Sequence, residues 1–144
     1  MKSVIDLVIH APRERVAALF ADPALGVKWM EDLKTYEPIS GEPGAPGSQY
    51  RLVQKSGDLD FLATVLARDL PDEVRLRLDA ESVEVSITAR FVAASATTTR
   101  LIWEEVFRFK SPLQRVFGFL ARPVIKRVHR RQMEAFKRFA EREG

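Results

Sequence analysis

The feature that most constrains this chain is a succession of alternating segments that ends in one long basic helix. From Gln49 to Lys110, apolar and polar side chains trade places residue by residue, in run after run, with turn residues between the runs. A period of two puts successive side chains on opposite faces of a strand, so each run reads as half-buried. Glu73–Asp79 sets Val74, Leu76 and Leu78 against Arg75, Arg77 and Asp79. Ser82–Ala93 sets Val83, Val85, Ile87, Ala89 and Phe91 against Glu84, Ser86, Thr88 and Arg90. Thr98–Lys110 sets Leu101, Trp103, Phe107 and Phe109 against Ile102, Glu104, Val106 and Arg108. Gln49–Lys55 and Leu59–Asp69 come before these, closed by Ser56-Gly57-Asp58 and Leu70-Pro71-Asp72. Connections of hairpin length join strands in antiparallel fashion. Leu59–Asp69 is apolar on both sides, Leu62 and Leu66 against Phe61, Ala63 and Val65, so alternation alone does not say which side is inward.

The N-terminal third frames this sheet. Ser3–His10 alternates and reads as the first strand. Ala11-Pro12 ends it, and Pro12 with Glu14 close behind signals a helix start. Val16, Leu19 and Phe20 give that helix its apolar side. Asp22 is an N-cap for a second short helix running through Leu25, Trp29 and Met30 to about Leu33. Lys34–Glu42 reads as a strand, and Gly41–Gly47, with three glycines and two prolines, as a loop. At the other end Ser111 caps a helix with Pro112 in its first turn, predicted to run to Gly144 and to kink or divide near Pro123. Each strand has one apolar face, and only the closing helix is long enough to cover it. The predicted fold is therefore α+β: a curved antiparallel sheet of about seven strands wrapped around a long C-terminal helix, with two short helices after the first strand. One domain over residues 1–144 is expected, and a chain of this length buries roughly 70% of its unfolded surface without a staple.

Composition closes several routes. There is no cysteine, which excludes disulfides, zinc–thiolate sites and cysteine nucleophiles. Two histidines without matching carboxylate spacing make no metal site. Gly41–Gly47 carries no lysine and no phosphate-loop spacing, and there is no Gly-x-Ser-x-Gly elbow. No cofactor is expected. Asp6 interrupts any signal-like apolar run, and no stretch reaches the roughly 20 apolar residues of a membrane span, so a soluble cytoplasmic protein is expected. The net charge of +3 is uneven: nine Lys or Arg and three Glu follow Ser111, leaving 14 basic and 17 acidic residues before it. The plain reading is a solvated helix face, and the sharper one is an anionic partner. Few aromatics accompany the charge after residue 119, which disfavours nucleic acid.

Several segments together resemble a known superfamily. They are the first strand running into Ile9-His10-Ala11-Pro12-Arg13-Glu14-Arg15-Val16, then Asp22 to Trp29, Gly47 before the next strand, Thr99-Arg100-Leu101-Ile102-Trp103 in the last strand, and the long closing helix. In this order they resemble the SRPBCC superfamily, also called START or Bet v 1-like, whose fold is the helix grip. The nearest likeness is to its bacterial polyketide cyclase/dehydrase and lipid-transport group. The resemblance spans essentially the whole chain and implies an elongated cavity between sheet and helix; alternation alone permits a solid core. It implies binding or transport of an apolar small molecule or lipid there, and it carries over no catalytic motif.

Within such a cavity the residues themselves nominate a lining. On the helix after Pro123, at about 100° per residue, Ile125, Val128, Gln132, Phe136 and Phe139 share one face, flanked by His129, Met133 and Ala140. The Gln132 amide must find partners there, in the protein or in a ligand. Glu105 lies between Trp103 and Phe107 on an apolar strand face, and an inward carboxyl has a raised pKa or a cationic partner. It is the candidate acid or base, with His129 or Gln132 beside it, should the chain be a cyclase or dehydratase. A slip of one residue would exchange it with Glu104. Trp29, Tyr50, Leu76, Ile87 and Trp103 complete the expected ligand-binding set. Leu113–Ile125 is apolar on more than one face and deformable at Gly118 and Pro123. It reads as packing, as a cavity lid, or as a patch in transient contact with an anionic membrane. A role in protein interaction is the remaining alternative.

Overall fold

The computed structural model describes residues 1–57 and 60–143. Asp58, Leu59 and Gly144 lie outside them, and with them the last residue of the expected Ser56-Gly57-Asp58 turn, the expected first residue of the next strand and the expected helix end. Strands β1 (Lys2–Ile9), β2 (Leu33–Ser40), β3 (Gln49–Gln54), β4 (Asp60–Asp69), β5 (Glu73–Asp79), β6 (Val83–Ala93) and β7 (Thr99–Phe109) form one antiparallel sheet. Its order is β1-β7-β6-β5-β4-β3-β2, so the first and last strands are neighbours and β2 is the other edge. Between β1 and β2 lie α1 (Arg13–Ala21), a 3-10 turn (Pro23–Leu25) and α2 (Gly26–Trp29). After β7 come α3 (Pro112–Leu120) and α4 (Arg122–Glu143). This is the helix-grip arrangement, with α4 held across the inner face of the sheet.

Local chemistry explains most boundaries. The Asp22 carboxylate accepts from the Ala24 amide as an N-cap, and Pro23 takes the first helical position. The second short helix ends at Trp29, earlier than expected, because Asp32 is held as a turn: its carbonyl accepts from Lys55 and its carboxylate from Ser56. Leu33 is therefore already paired with Gln54. Pro38 sits in edge strand β2, where a missing donor is tolerated, and the register shifts just after it. The side of β4 that turns inward is Ala63 and Val65, both buried, whereas Leu66 is exposed. The helix divides near Pro123, as expected, with the break at Ala121. Pro123 falls in the first turn of α4, where an N–H would have no helical partner in any case.

The core centres on an aromatic cluster. The Phe20 ring from α1 lies 5.1 Å from Trp103, 5.3 Å from Phe136 and 5.6 Å from Phe91, all edge-on. Trp29 stands 5.0 Å from Phe136. The buried stripe of α4 is His129, Met133, Phe136 and Ala140, with Phe139 beside it. That corrects the expected face by about one residue: His129 is central and buried, and Val128 is 55% exposed. Open space, and not packed side chains, lies across from Ile125 and Val128.

Candidate functional site

Two chambers lie on the inner face of the sheet, the inner one mainly under α1, the 3-10 turn and α2, the outer one under α4. The inner one, about 80 Å³, is bounded by Phe20, Trp29, Tyr36, Leu76, Ile87 and Trp103 among others. The outer one, about 400 Å³, is bounded by Phe61, Val83, Val85, Phe107 and Phe109 from the sheet and by Val124, Ile125, Val128 and His129 from α4. Met30, Leu52, Leu78, Glu105 and Gln132 line both, so these five form the boundary between them. Ligand sites usually occupy about 300–1,000 Å³. The outer chamber reaches that range alone; the inner one suits a substituent.

The polar centre of the boundary follows from register. Ser3 in β1, Glu105 in β7 and Ile87 in β6 are aligned across three strands. Glu105 thus shares the inward face with Trp103, and Glu104 turns outward to meet Lys2 at 2.7 Å. Burial pushes the Glu105 carboxyl up from 4.5 to about 7. The Trp103 indole opposes that rise, although its N–H makes no hydrogen bond of good geometry. His129 Nδ1 lies 2.8 Å from Ser3 Oγ, where either atom can donate, and 3.8 Å from Glu105 Oε1. Burial, helped by Arg130, lowers the His129 pKa from 6.5 to about 4, so the imidazole is neutral at pH 7 and the Glu105 contact is no ion pair there. His129 Nε2 is buried without a partner, as is the indole N–H of Trp29.

Serine, histidine and glutamate in contact invite comparison with a hydrolytic triad, and the geometry rules that out. A triad sets the hydroxyl and the carboxylate at opposite imidazole nitrogens. Here both approach Nδ1, and Ser3 is buried. What the arrangement offers is a carboxyl that exchanges its proton near neutrality, an amide at Gln132, and apolar walls. Among the described residues no three His, Asp or Glu side chains converge as they would on a metal.

Of the residues expected to meet a ligand, Trp29, Leu76, Ile87 and Trp103 line the inner chamber, Phe107, Ile125 and Val128 the outer, and Glu105 and Gln132 both. Tyr50 and Phe136 line neither. The Tyr50 hydroxyl accepts from the Gly44 amide at 2.5 Å, which ties it to the β2–β3 loop. Phe136 is spent on the aromatic cluster. Sequence reasoning missed Ser3, a small polar residue in an ordinary alternation, and Met30, Leu52 and Leu78, whose apolar character matches that of any core position.

Comparison with known proteins fits this geometry. The family model described as polyketide cyclase / dehydrase and lipid transport matches residues 3–141. No protein of curated function matches. Among solved structures, the Zhui aromatase/cyclase from a Streptomyces species superposes with a TM-score of 0.81 at 16% identity, covering 99% of this chain and 94% of that one. A START superfamily protein from Mycobacterium smegmatis gives 0.74 at 16% identity, over 99% and 95%. Norcoclaurine synthase from Thalictrum flavum, in complex with dopamine and hydroxybenzaldehyde, gives 0.73 at 12% identity, over 100% and 89%. At these identities the structural likeness speaks for the fold.

Proposed function

The chain belongs to the polyketide cyclase/dehydrase and lipid-transport family of the START/Bet v 1-like superfamily, and from that premise we propose that it is a one-domain binding or transfer protein for an apolar small molecule or lipid. The observation that carries this reading is the pair of apolar chambers meeting at Glu105 and Gln132. The apolar body of the ligand occupies the outer chamber. One ligand oxygen reaches the boundary, where protonated Glu105 donates to it and the Gln132 amide supplies a second polar contact. Native mass spectrometry of the protein after incubation with a lipid extract tests this, together with displacement of a fluorescent apolar probe. The expected result is one retained apolar molecule per chain, held more weakly in Val85→Trp, whose indole intrudes into the outer chamber. Retention of nothing, or probe binding that Val85→Trp leaves unchanged, overturns the reading.

A second reading rests on the place of Glu105, a carboxyl at the boundary of the two chambers whose burial raises its pKa to about 7. Such a group is matched to acid–base chemistry at neutral pH, for instance donating a proton to a β-hydroxyl of a linear polyketide, which leaves as water, the carboxylate so formed taking the proton from the neighbouring carbon as the C=C bond forms. Turnover of such a substrate that Glu105→Gln abolishes, with its binding intact, would establish this reading. Unchanged turnover in Glu105→Gln would remove it.

A further inference from the structure

In a folded domain an amphipathic helix turns its apolar stripe to the core. Helix α3 does the reverse. Leu113, Val116, Phe117 and Leu120 fall within one arc of about 100°, and they are 57–68% exposed. Phe119 on the flank is as exposed as Leu120. The side that meets the sheet is Gly118, which lies so close to the Phe109 ring that a Cβ there would overlap it. Val124 and Val128 of α4 are also exposed, and both line the outer chamber. The apolar patch thus runs from α3 to the rim of the cavity. Contiguous exposed apolar surface rimmed by polar groups marks an interaction site.

Charge selects the occupant. Between Val106 and Met133 the chain carries eight Lys or Arg and no Asp or Glu. All eight are exposed. Among ion pairs of the described residues, only Arg108 with Glu84 and Arg131 with Glu31 engage any of them. A second copy is a poor occupant, because a twofold contact sets the same surface against itself and would oppose two basic fringes. A bilayer bearing anionic headgroups suits both halves of the pattern, with apolar side chains entering the acyl boundary and cations remaining at the headgroups. We propose that α3 and the start of α4 form a membrane-docking face, which sets the rim of the outer chamber against an anionic lipid surface.

Flotation with phosphatidylcholine vesicles, made with and without phosphatidylserine, tests the proposal. The protein floats with the phosphatidylserine vesicles, and the bound fraction falls as salt is raised, because the charge contribution is screened. Leu120→Glu, at an exposed position, weakens partitioning by roughly tenfold or more. Arg122→Gln and Lys126→Gln weaken it about fivefold each on anionic vesicles only. Absence of flotation on anionic vesicles overturns the proposal, as does flotation that Leu120→Glu leaves unchanged. A solution dimer that Leu120→Glu dissociates assigns the face to a second copy and overturns it equally. Apolar-probe binding in solution depends on the chambers alone and stays at the parent level in Leu120→Glu, so failure of docking and failure of the ligand reading are separable.

Discussion

Burial moves Glu105 and His129 in opposite directions, and their linkage to stability is opposite too. The folded chain keeps a proton on Glu105 that the unfolded chain has released between pH 4.5 and about 7. The stabilisation from that proton is complete below 4.5 and is lost as pH rises to about 7. For His129 the unfolded chain takes up a proton below 6.5 that the folded chain refuses until about 4, so this contribution grows as pH rises through the same range. Across the overlap the slopes oppose, and the parent protein is expected to show a shallow profile. Glu105→Gln exposes the histidine slope: stability rises from pH 4 to 6.5 by on the order of 2 kcal/mol, each pKa unit being worth about 1.4 kcal/mol. His129→Asn exposes the carboxyl slope, with stability falling between pH 4.5 and 7 by a similar amount. Urea melts across this range check both, and a Glu105→Gln profile as flat as the parent's would overturn the assignment. Glu105 was legible in the sequence because period two forces it inward with Trp103. Its partner Ser3 was not, because β1 meets β7 from the far end of the chain and nothing local marks that register.

At the scale of elements, the strands were legible and the helix faces were not, for one physical reason. Strand periodicity repeats every second residue, so a few residues fix it. A helix face turns about 100° per residue, and near the cavity an apolar side chain has no need of a packed neighbour. Ile125 and Val128, expected to meet a ligand, do line the chamber, whereas the packed stripe runs one residue over, through His129 and Met133. Helix α3 is the extreme case, since it is seated through Gly118 on Phe109. Gly118→Val should unseat it. The gain in helix propensity, under about 1 kcal/mol, is smaller than the 1–3 kcal/mol typical of overpacking. Hydrogen exchange should then quicken across Pro112–Leu120 while the amides of β6 and β7 keep their protection. Equal loss in sheet and helix would mean that α3 is part of the global unit.

At the scale of the molecule, the core is divided, and the division is the cavity. One buried cluster joins α1, α2, α4 and strands β1, β5, β6 and β7. A second, Leu33, Tyr50, Leu52, Ala63 and Val65, belongs to β2, β3 and β4. The partly buried residues touching both, Met30, Phe61, Leu76 and Leu78, are chamber walls. No alternation in the sequence distinguishes this from a solid core, because a wall facing a chamber and a wall facing a side chain are equally apolar. The consequence is thermodynamic: a ligand that fills the gap adds contacts between two clusters otherwise joined by the β4–β5 ladder and by partly buried side chains. Binding to the folded chain alone at 100 times Kd adds about 2.7 kcal/mol. For a chain near 150 residues that is roughly 5–10 °C in Tm. Val85→Phe places a ring in the outer chamber. It should leave the ligand-free Tm within a few degrees of the parent's, because the added volume enters open space and not a packed wall. The same variant should reduce the ligand-induced shift, because the ring takes space the ligand would occupy. A thermal melt with and without the retained molecule checks this, and a full shift in Val85→Phe would place the ligand somewhere other than between sheet and helix.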